Sequence, residues 1–589
     1  TEEDKMALST PSASPAVVVK EIDLTGGVPN VQSTTGAIVG NFRWGPAEQR
    51  VDIDNETSLV STFASPDSAN TIDFHSASYF LRYSGSLQVV REVTSSAKNA
   101  RSTIGQLGTD NDGTLPMELV KNADDFAAQE AALDSDSHTL IARYPGELGN
   151  SLRVSICPPN DSAFNAWSYK DEFDAAPGTS NYASTRAATN DEIHVVVVDN
   201  GGELTGTKGT ILERYPFVSV ASDAKNTDGT TNYAKDVVNG RSDYVHWVAF
   251  DSDYSAVSGN GTVDSGDNFD PGLTSATNHT FAKGANSGVL GTSEYLQGYD
   301  LFEDKDITEV DFLIAPSMTS RTDQATVVND LIATAENLRK DCVVTASPAR
   351  SDVINLTNTA TITSNITTTS AAMTNSSYLV ADGNFIKVYD KYNDQYIQIP
   401  AASSTAGIMA ATDLNRAPWF SPAGARRGQY LGITAISWSP TKAQRDTLYK
   451  AGVNPIANIP GQGVLLFGDK TKLGRPSAFD RINVRRLFLV LERAIGKAAE
   501  QVMFEFNDEF TRAEFVNIVE PVLREVKGRR GITDFRVVCD ETNNTAAVVD
   551  RNEFIANIFI KPARSINYVT LNFVAVRTGV DFEEVVGTV

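Results

Sequence analysis

The stretch nearest to a reaction centre in this chain is Gly463-Val464-Leu465-Leu466-Phe467-Gly468-Asp469-Lys470-Thr471. A phosphate-binding loop requires G-x-x-x-x-G-K-[ST], because the loop amides and the lysine must close on one phosphate chain. Here Asp469 intrudes. It moves the lysine out of register and puts a carboxylate where phosphate charge would sit. The expectation is a strand followed by a Gly-Asp turn. Asp110-Asn111-Asp112-Gly113 and Asp264-Ser265-Gly266-Asp267 begin like calcium loops. Neither completes the ligand pattern, and Lys121 stands where the first would need its glutamate. Both read as solvated acidic turns. The histidines His75, His138, His194, His246 and His279 are far apart, with no metal-ligand spacing. No serine occupies a G-x-S-x-G elbow. Glu583-Glu584 reads as tail charge rather than an acid–base pair. No catalytic, metal or cofactor-binding residue is assigned, and no cofactor is implied.

Arg475, Arg481, Arg485 and Arg486 are a more informative set. Arg481 and Arg485 are four apart, which places them on one helix face, with Arg486 beside them. One reading is a solvated face paired with Asp480 or Glu492. The other is a patch for an acidic protein surface, fixing register and orientation more than affinity.

The elements that must position these residues follow from composition and pattern. A chain of 589 residues exceeds a single core and implies several domains. Its apolar fraction of 41% supports folded structure. The net charge of -24 opposes binding of nucleic acid through phosphate neutralisation. That charge is uneven: residues 1–440 hold 55 acidic and 29 basic groups, whereas 441–589 hold 19 and 21. The acidic part is expected to face solvent and the balanced part to face partners. Cys157, Cys342 and Cys539 form no disulfide framework and no zinc spacing, in keeping with assembly in a reducing cytoplasm. No apolar run reaches membrane-spanning length. The opening Thr1-Glu2-Glu3-Asp4-Lys5 is wrong for a signal peptide.

Residues 1–24 read as a polar arm ending in a strand, Val17-Val18-Val19-Lys20-Glu21-Ile22-Asp23-Leu24. Such a strand can join its own sheet or a neighbour's edge. Residues 25–95 read as a small α/β start, with strands at 37–40 and 87–93 and a helix at 76–83. Residues 96–345 form an acidic, β-rich, sandwich-like stretch with many turn signals, including Asn200-Gly201-Gly202 after the run His194–Asp199. Near its end a strand at 310–315, a helix at 323–339 and a strand at 342–346 make a βαβ unit. Val327, Leu331, Ala335 and Leu338 share one face of its helix. Residues 346–440 include a Ser/Thr-rich stretch, 351–377, expected as a long loop with weak helical content. Residues 441–589 read as an α+β domain of helices followed by three strands, with Pro521 expected to start or kink a turn.

Several segments, in order, resemble the tail sheath proteins of contractile bacteriophages, in their long-tailed myophage branch. They are Tyr144-Pro145-Gly146 with Gly149-Asn150, Ala381-Asp382-Gly383-Asn384-Phe385, Pro418-Trp419-Phe420-Ser421-Pro422, and Phe479-Asp480-Arg481-Ile482-Asn483-Val484-Arg485-Arg486. Phe504-Glu505-Phe506-Asn507, Val538-Cys539-Asp540-Glu541-Thr542-Asn543, and Lys561-Pro562-Ala563-Arg564-Ser565-Ile566-Asn567-Tyr568-Val569-Thr570-Leu571-Asn572-Phe573 complete the set.

The resemblance implies a multidomain α/β and α+β fold. Its sheath core is built from early and late segments, with the β-rich stretch inserted as an outer domain. It implies that strands at both ends of the chain are exchanged between subunits: Val17, Val18, Val19, Ile22 and Leu24 at one end, and Ile566, Tyr568, Val569, Leu571 and Phe573 at the other. The implied function is a structural subunit that polymerises around a tail tube as stacked hexameric rings. The sheath then contracts to drive the tube through the host envelope. Implied partners are further copies, the tube protein, and baseplate and tail terminator proteins. Nucleic acid and membrane spans are not among them. The implied place is the virion tail, assembled in the host bacterial cytoplasm. Some of Arg475, Arg481, Arg485 and Arg486 would then face the tube. A further barrel-like insertion of large myophage sheaths, expected just after Ala97-Lys98-Asn99-Ala100, is missing or vestigial. The sheath of a non-viral injection machine is an alternative, as is, more distantly, an acidic secreted polysaccharide-degrading enzyme.

Overall fold

The computed structural model describes residues 34–102, 119–135, 138–251, 254 and 261–566. The chain divides into two compact units. Of the described residues, one holds 34–490 and 564–566, the other 491–563.

A seven-stranded sheet organises the larger unit. Its order is Val453–Asn454, Leu379–Asp382, Val343–Ala346, Phe312–Ile314, Gly36–Gly40, Leu87–Arg91, Arg50–Ile53. The first six run parallel, and the last is antiparallel to its neighbour. Parallel sheets need both faces covered, so their strands read as continuous apolar runs. The central strands Gly36–Gly40, Phe312–Ile314 and Val343–Ala346 are accordingly buried throughout. Helices Thr71–Leu81 and Ala402–Asn415 pack together against this sheet. Their close approach needs Gly407: a Cβ there would lie 2.4 Å from the Tyr83 ring. Helices Thr292–Asp300, Arg321–Ala333, Thr359–Ala372 and Lys442–Lys450 contact one another in series.

The βαβ unit forms as expected, with Phe312–Ile314 and Val343–Ala346 parallel. These strands belong to the first sheet, so the β-rich insertion closes near Ala282 rather than at 345. Leu338 departs from the reading. Val327, Leu331 and Ala335 are buried, but Leu338 is 55% exposed. The chain widens into a π-turn over Thr334–Arg339, which shifts the apolar face before Leu338 arrives.

The stretch 351–377 is not a long loop. Thr359–Ala372 is a helix, capped by Asn358, whose side chain accepts from the amides of Ala360 and Thr361. Ile362 and Ile366 anchor it in a cluster with Phe385, Trp438, Leu448 and Val453. Its hydroxyls turn inward: Thr363 Oγ1 donates to the Thr359 carbonyl at 2.8 Å and Thr368 Oγ1 to that of Ser364 at 2.9 Å. Low helix propensity is thus overridden by two buried isoleucines at i, i+4 spacing.

The insertion is a second sheet of seven strands, each pair antiparallel. Its order is Thr210–Ser219, Glu192–Asp199, Leu152–Cys157, Thr277–Ala282, Arg101–Ser102, Leu140–Ala142, Val245–Trp247. Thr277–Ala282 belongs to both halves, pairing through Thr277–Thr280 with Leu152–Cys157 and through Phe281–Ala282 with Arg101–Ser102. Helix Ala234–Arg241 contacts both edge strands. Asn239 serves the Trp247 edge, donating to its carbonyl at 2.9 Å and accepting from its amide at 2.6 Å. That edge is therefore satisfied locally. The hairpin signalled by Asn200-Gly201-Gly202 is present.

The smaller unit carries helix Glu509–Gly528 and a two-stranded antiparallel ribbon, Ile532–Val538 with Asn557–Pro562. The helix runs through Pro521 without ending, contrary to expectation. Phe515, Val519 and Leu523 bury one face on both sides of the proline, and this packing outweighs the one ladder bond that Pro521 cannot donate.

Candidate functional site

Residues of catalytic type are absorbed into the core. All five histidines are buried, none more than 3% exposed. His246 stacks on Phe126 at 4.0 Å, and burial lowers its pKa to about 3. His194 stacks on Phe173, lies 2.8 Å from the Ala175 carbonyl through Nε2, and accepts from the Phe217 amide through Nδ1. His75 Nε2 lies 3.1 Å from Asp390, yet burial still lowers its pKa. Ser102 Oγ is 2.9 Å from His279 Nδ1, and His279 Nε2 is 3.2 Å from Asp251. These are the residue types of a hydrolytic triad, but each is at most 3% exposed. The trio fastens neighbouring strands of the second sheet. Among the described residues no group of three or more His, Cys, Asp or Glu is placed to hold a metal ion. No helix there is long and apolar enough to cross a membrane. Cys157, Cys342 and Cys539 are buried and form no disulfide.

The near-phosphate loop is structural. Gly463–Leu466 pairs antiparallel with Ile456–Ile459, so it does not lead from a parallel strand into a helix. The intruding Asp469 is 4% exposed and gathers four partners. Its carboxylate accepts from Arg481 Nη1 at 2.7 Å, Tyr449 OH at 3.2 Å, Ser421 Oγ at 3.3 Å and Ser565 Oγ at 2.7 Å. Lys470 lies 4.1 Å from the Tyr449 ring centroid. Asp264-Ser265-Gly266-Asp267 is an exposed turn closed by the Asp264 amide on Asp267 Oδ2 at 2.7 Å. Asp110–Gly113 lies outside the described residues.

The four arginines part company. Helix Ile482–Glu500 begins after Arg481, so Arg481 and Arg485 do not share a helix face. Arg475 is exposed. Arg481 pairs with Asp469, and Asp480 lies 3.6 Å from it. Arg485 and Arg486 are 7% and 4% exposed. Arg485 donates to Ser377 Oγ at 2.7 Å, with its guanidinium 4.2 Å from the Phe479 centroid and 4.3 Å from that of Tyr378. Arg486 donates to Asp413 Oδ1 at 2.5 Å and to the Met409 carbonyl at 3.1 Å, over the Phe312 ring. Both are engaged within their own chain and present no surface to a tube. This corrects the shared-patch reading for Arg485 and Arg486. Desolvated guanidinium groups need such partners, and arginine next to aromatic and carboxylate groups supplies them.

Ile566 follows the ribbon outside any strand and is 83% exposed. Val17, Val18, Val19, Ile22 and Leu24, and Tyr568, Val569, Leu571 and Phe573, lie outside the described residues.

Sequence reasoning missed Arg91. It closes the Leu87–Arg91 strand and donates to the carbonyls of Phe42, Gly45 and Pro145 at 2.8, 2.6 and 2.6 Å. It thereby ties the Tyr144-Pro145-Gly146 segment to the first sheet. Burial lowers its pKa to about 9.

Comparison with known proteins assigns this architecture. Residues 288–472 match the phage tail sheath protein central domain, and residues 475–575 the phage tail sheath C-terminal domain. The chain is 31% identical to the tail sheath protein of Enterobacteria phage T4, over 98% of this chain and 99% of that protein. It is 30% identical to that of Vibrio phage KVP40, with the same coverage. Among solved structures, a sheath tail protein from Listeria innocua superposes with a TM-score of 0.52 at 12% identity, covering 91% of this chain and 93% of that one. Another from Desulfitobacterium hafniense gives 0.50 at 15%, covering 93% and 100%. The chain belongs to the tail sheath protein family of contractile bacteriophages.

Proposed function

We propose that this chain is the structural subunit of a contractile phage tail sheath. The observation that carries the reading is end-to-end similarity to tail sheath proteins. The burial of histidine and of the Ser102–His279–Asp251 trio supports a role without catalysis. The subunit polymerises in rings of six around the tail tube and attaches to baseplate and tail terminator proteins. It is assembled in the host cytoplasm and resides in the virion tail.

Chain linkage by strands is the physical core of the reading. Among the described residues the ribbon Ile532–Val538/Asn557–Pro562 pairs only with itself, which leaves two outer edges. Open edges accept added strands. The arm strand Val17–Leu24 and the segment Ile566–Phe573, from adjacent subunits, are the strands that join. Each added hydrogen bond contributes about 0.5–1.5 kcal/mol net. Such links persist while domains swing as rigid bodies. A few kcal/mol stored per subunit, over on the order of a hundred subunits, gives hundreds of kcal/mol for contraction without a fuel site.

The 96–282 sheet stands outward of the core, consistent with its acidity. The alignments with relatives run over at least 669 positions, against 589 residues here, so those relatives carry at least 80 positions that this chain lacks. That supports the absence of the barrel-like insertion after Ala100. Of the four arginines, exposed Arg475 is the one best suited to face the tube.

Removing residues 1–24 tests the linkage. The truncated chain is expected to keep the parent's circular dichroism and melting temperature but to form no polymer. Polymers at the parent's concentration would overturn strand linkage by the arm.

A further inference from the structure

The inserted sheet carries an open cavity of about 470 Å³, set between its edge strand Thr210–Ser219, the loop that follows, and helix Ala234–Arg241. Small-molecule sites commonly have about 300–1,000 Å³. A β-bulge shapes the strand wall. Val218 pairs with Ile193 and Tyr215 with Val195, so one extra residue enters the edge strand at Pro216-Phe217. Phe217 holds φ at 53°, a left-handed conformation that a bulky residue rarely adopts. Its amide donates to His194 Nδ1 at 3.0 Å, and its carbonyl accepts from Asn232 Nδ2 at 2.9 Å. Bulges re-aim side chains and recur beside functional sites, where such strain also gathers.

The lining brings together donors and acceptors that the fold leaves unspent. Arg214 and Arg241 place two guanidinium groups on one cavity within an acidic stretch of chain. Arg241 ends its helix, is exposed, and makes no hydrogen bond or ion pair among the described residues. Asp228, whose charge reaches it, is spent on the amide and hydroxyl of Thr230, at 3.0 and 2.6 Å. Arg214 pairs with Glu172, but the two side chains are 54% and 38% exposed, and such pairs exchange partners at little cost. Asn226 and Asn232 commit Nδ2 to Thr230 Oγ1 and to the Phe217 carbonyl. Their Oδ1 atoms accept no hydrogen bond among the described residues. Glu213 is already occupied, accepting from Tyr215 OH at 2.9 Å and from Ser242 Oγ and the Asp243 amide at 2.7 Å each. Buried Val218 and Val237 supply an apolar wall.

This combination selects a ligand class. Guanidinium groups recognise carboxylate or phosphate. Unspent amide oxygens need donors, which sugar hydroxyls provide and a bare phosphate dianion does not. The apolar wall suits the C–H face of a sugar ring. We propose that this cavity binds a carboxylated saccharide. Arg241 and Arg214 hold the carboxylate, Asn226 and Asn232 the hydroxyls, and the ring lies against Val218 and Val237. The site lies within one chain and does not depend on polymerisation.

The test uses the full-length chain below the concentration at which it polymerises. The probes are D-glucuronate, D-glucose and inorganic phosphate, followed by saturation-transfer NMR and titration calorimetry. Glucuronate is expected to bind saturably, and glucose and phosphate each at least about tenfold more weakly. Arg241→Gln is expected to weaken glucuronate binding at least about tenfold and to keep the parent's melting temperature, since the side chain is exposed. If that variant melts early, Arg214→Gln carries the comparison. Absence of saturable glucuronate binding would overturn the proposal, as would undiminished binding by the folded variants. Equal binding of glucose would remove the carboxylate contact, and equal binding of phosphate would leave an adventitious ion only; either overturns the assignment. The sheath reading is decided separately, by polymer formation.

Discussion

Replacing Arg486 by alanine is expected to unfold the larger unit at markedly lower temperature, and the reason is geometric. The guanidinium is 4% exposed and its partner Asp413 has a side chain 3% exposed. Arg486 reaches Asp413 through both terminal nitrogens, donates to the Met409 carbonyl at 3.1 Å, and lies 4.6 Å from the Phe312 centroid. Alanine removes these contacts and leaves the Asp413 carboxylate in the core without its guanidinium. Breaking one side of a buried pair costs about 3–5 kcal/mol. For a body of this size that corresponds to a fall in Tm of roughly 3–5 °C. The control is Arg486→Met with Asp413→Leu, which removes both charges and keeps much of the volume. It is expected to recover most of the loss, since a buried pair is often replaceable by apolar packing. Thermal unfolding of dilute, unassembled protein, followed by circular dichroism, measures both. A single variant within about 1 °C of the parent would refute the reasoning. So would a double variant as unstable as the single one, because the cost would then not come from the stranded carboxylate.

Three further outcomes are expected. Glu92 is 1% exposed, and burial, reinforced by Glu48, raises its pKa to about 8 from an ordinary value near 4.5. Between those values the folded chain holds a proton that the unfolded chain has released. Stability therefore falls as pH rises through this window, by up to about 1.4 kcal/mol per unit. Urea midpoints at pH 5.5 and 8.5 should drop further for the parent than for Glu92→Gln, and parallel drops would contradict the assignment. Gly407→Ala should lower stability by about 1–3 kcal/mol, because the new methyl meets the Tyr83 ring, and an unchanged urea midpoint would show that the helices separate freely. Arg475→Glu should reduce loading onto isolated tail tubes without changing Tm, and undiminished loading across salt concentrations would remove Arg475 from the tube contact.

Local pattern carried the fold where elements are short-range and apolar. The 310–346 βαβ unit, and the strand and turn over 194–202, were readable from apolar runs and turn residues. The first sheet was not, because it gathers strands from Gly36 to Asn454 and nothing periodic records that adjacency. Thr359–Ala372 was hidden because serine and threonine were weighed by propensity, while Ile362 and Ile366 decided the matter by packing. The π-turn that exposes Leu338 has no sequence signature at all. Arg485 and Arg486 were misread because charge suggests surface, whereas Phe312, Tyr378, Phe479 and Asp413 make an interior niche from four distant parts of the chain. The intrusion of Asp469 into the near-phosphate loop is legible in the sequence, but its role as a hub for Tyr449, Arg481 and Ser565 emerges only from the fold. The family itself was legible from ordered motifs, since they record the whole assembly and not one chain's packing.

The most direct measurement of the central claim is electron microscopy of the purified full-length protein, alone and mixed with tail tubes. A sheath subunit is expected to form tubes with regular helical striation, and to load onto tail tubes as a continuous ordered layer. Monodisperse monomers across all concentrations and salts, with bare tail tubes beside them, would contradict it.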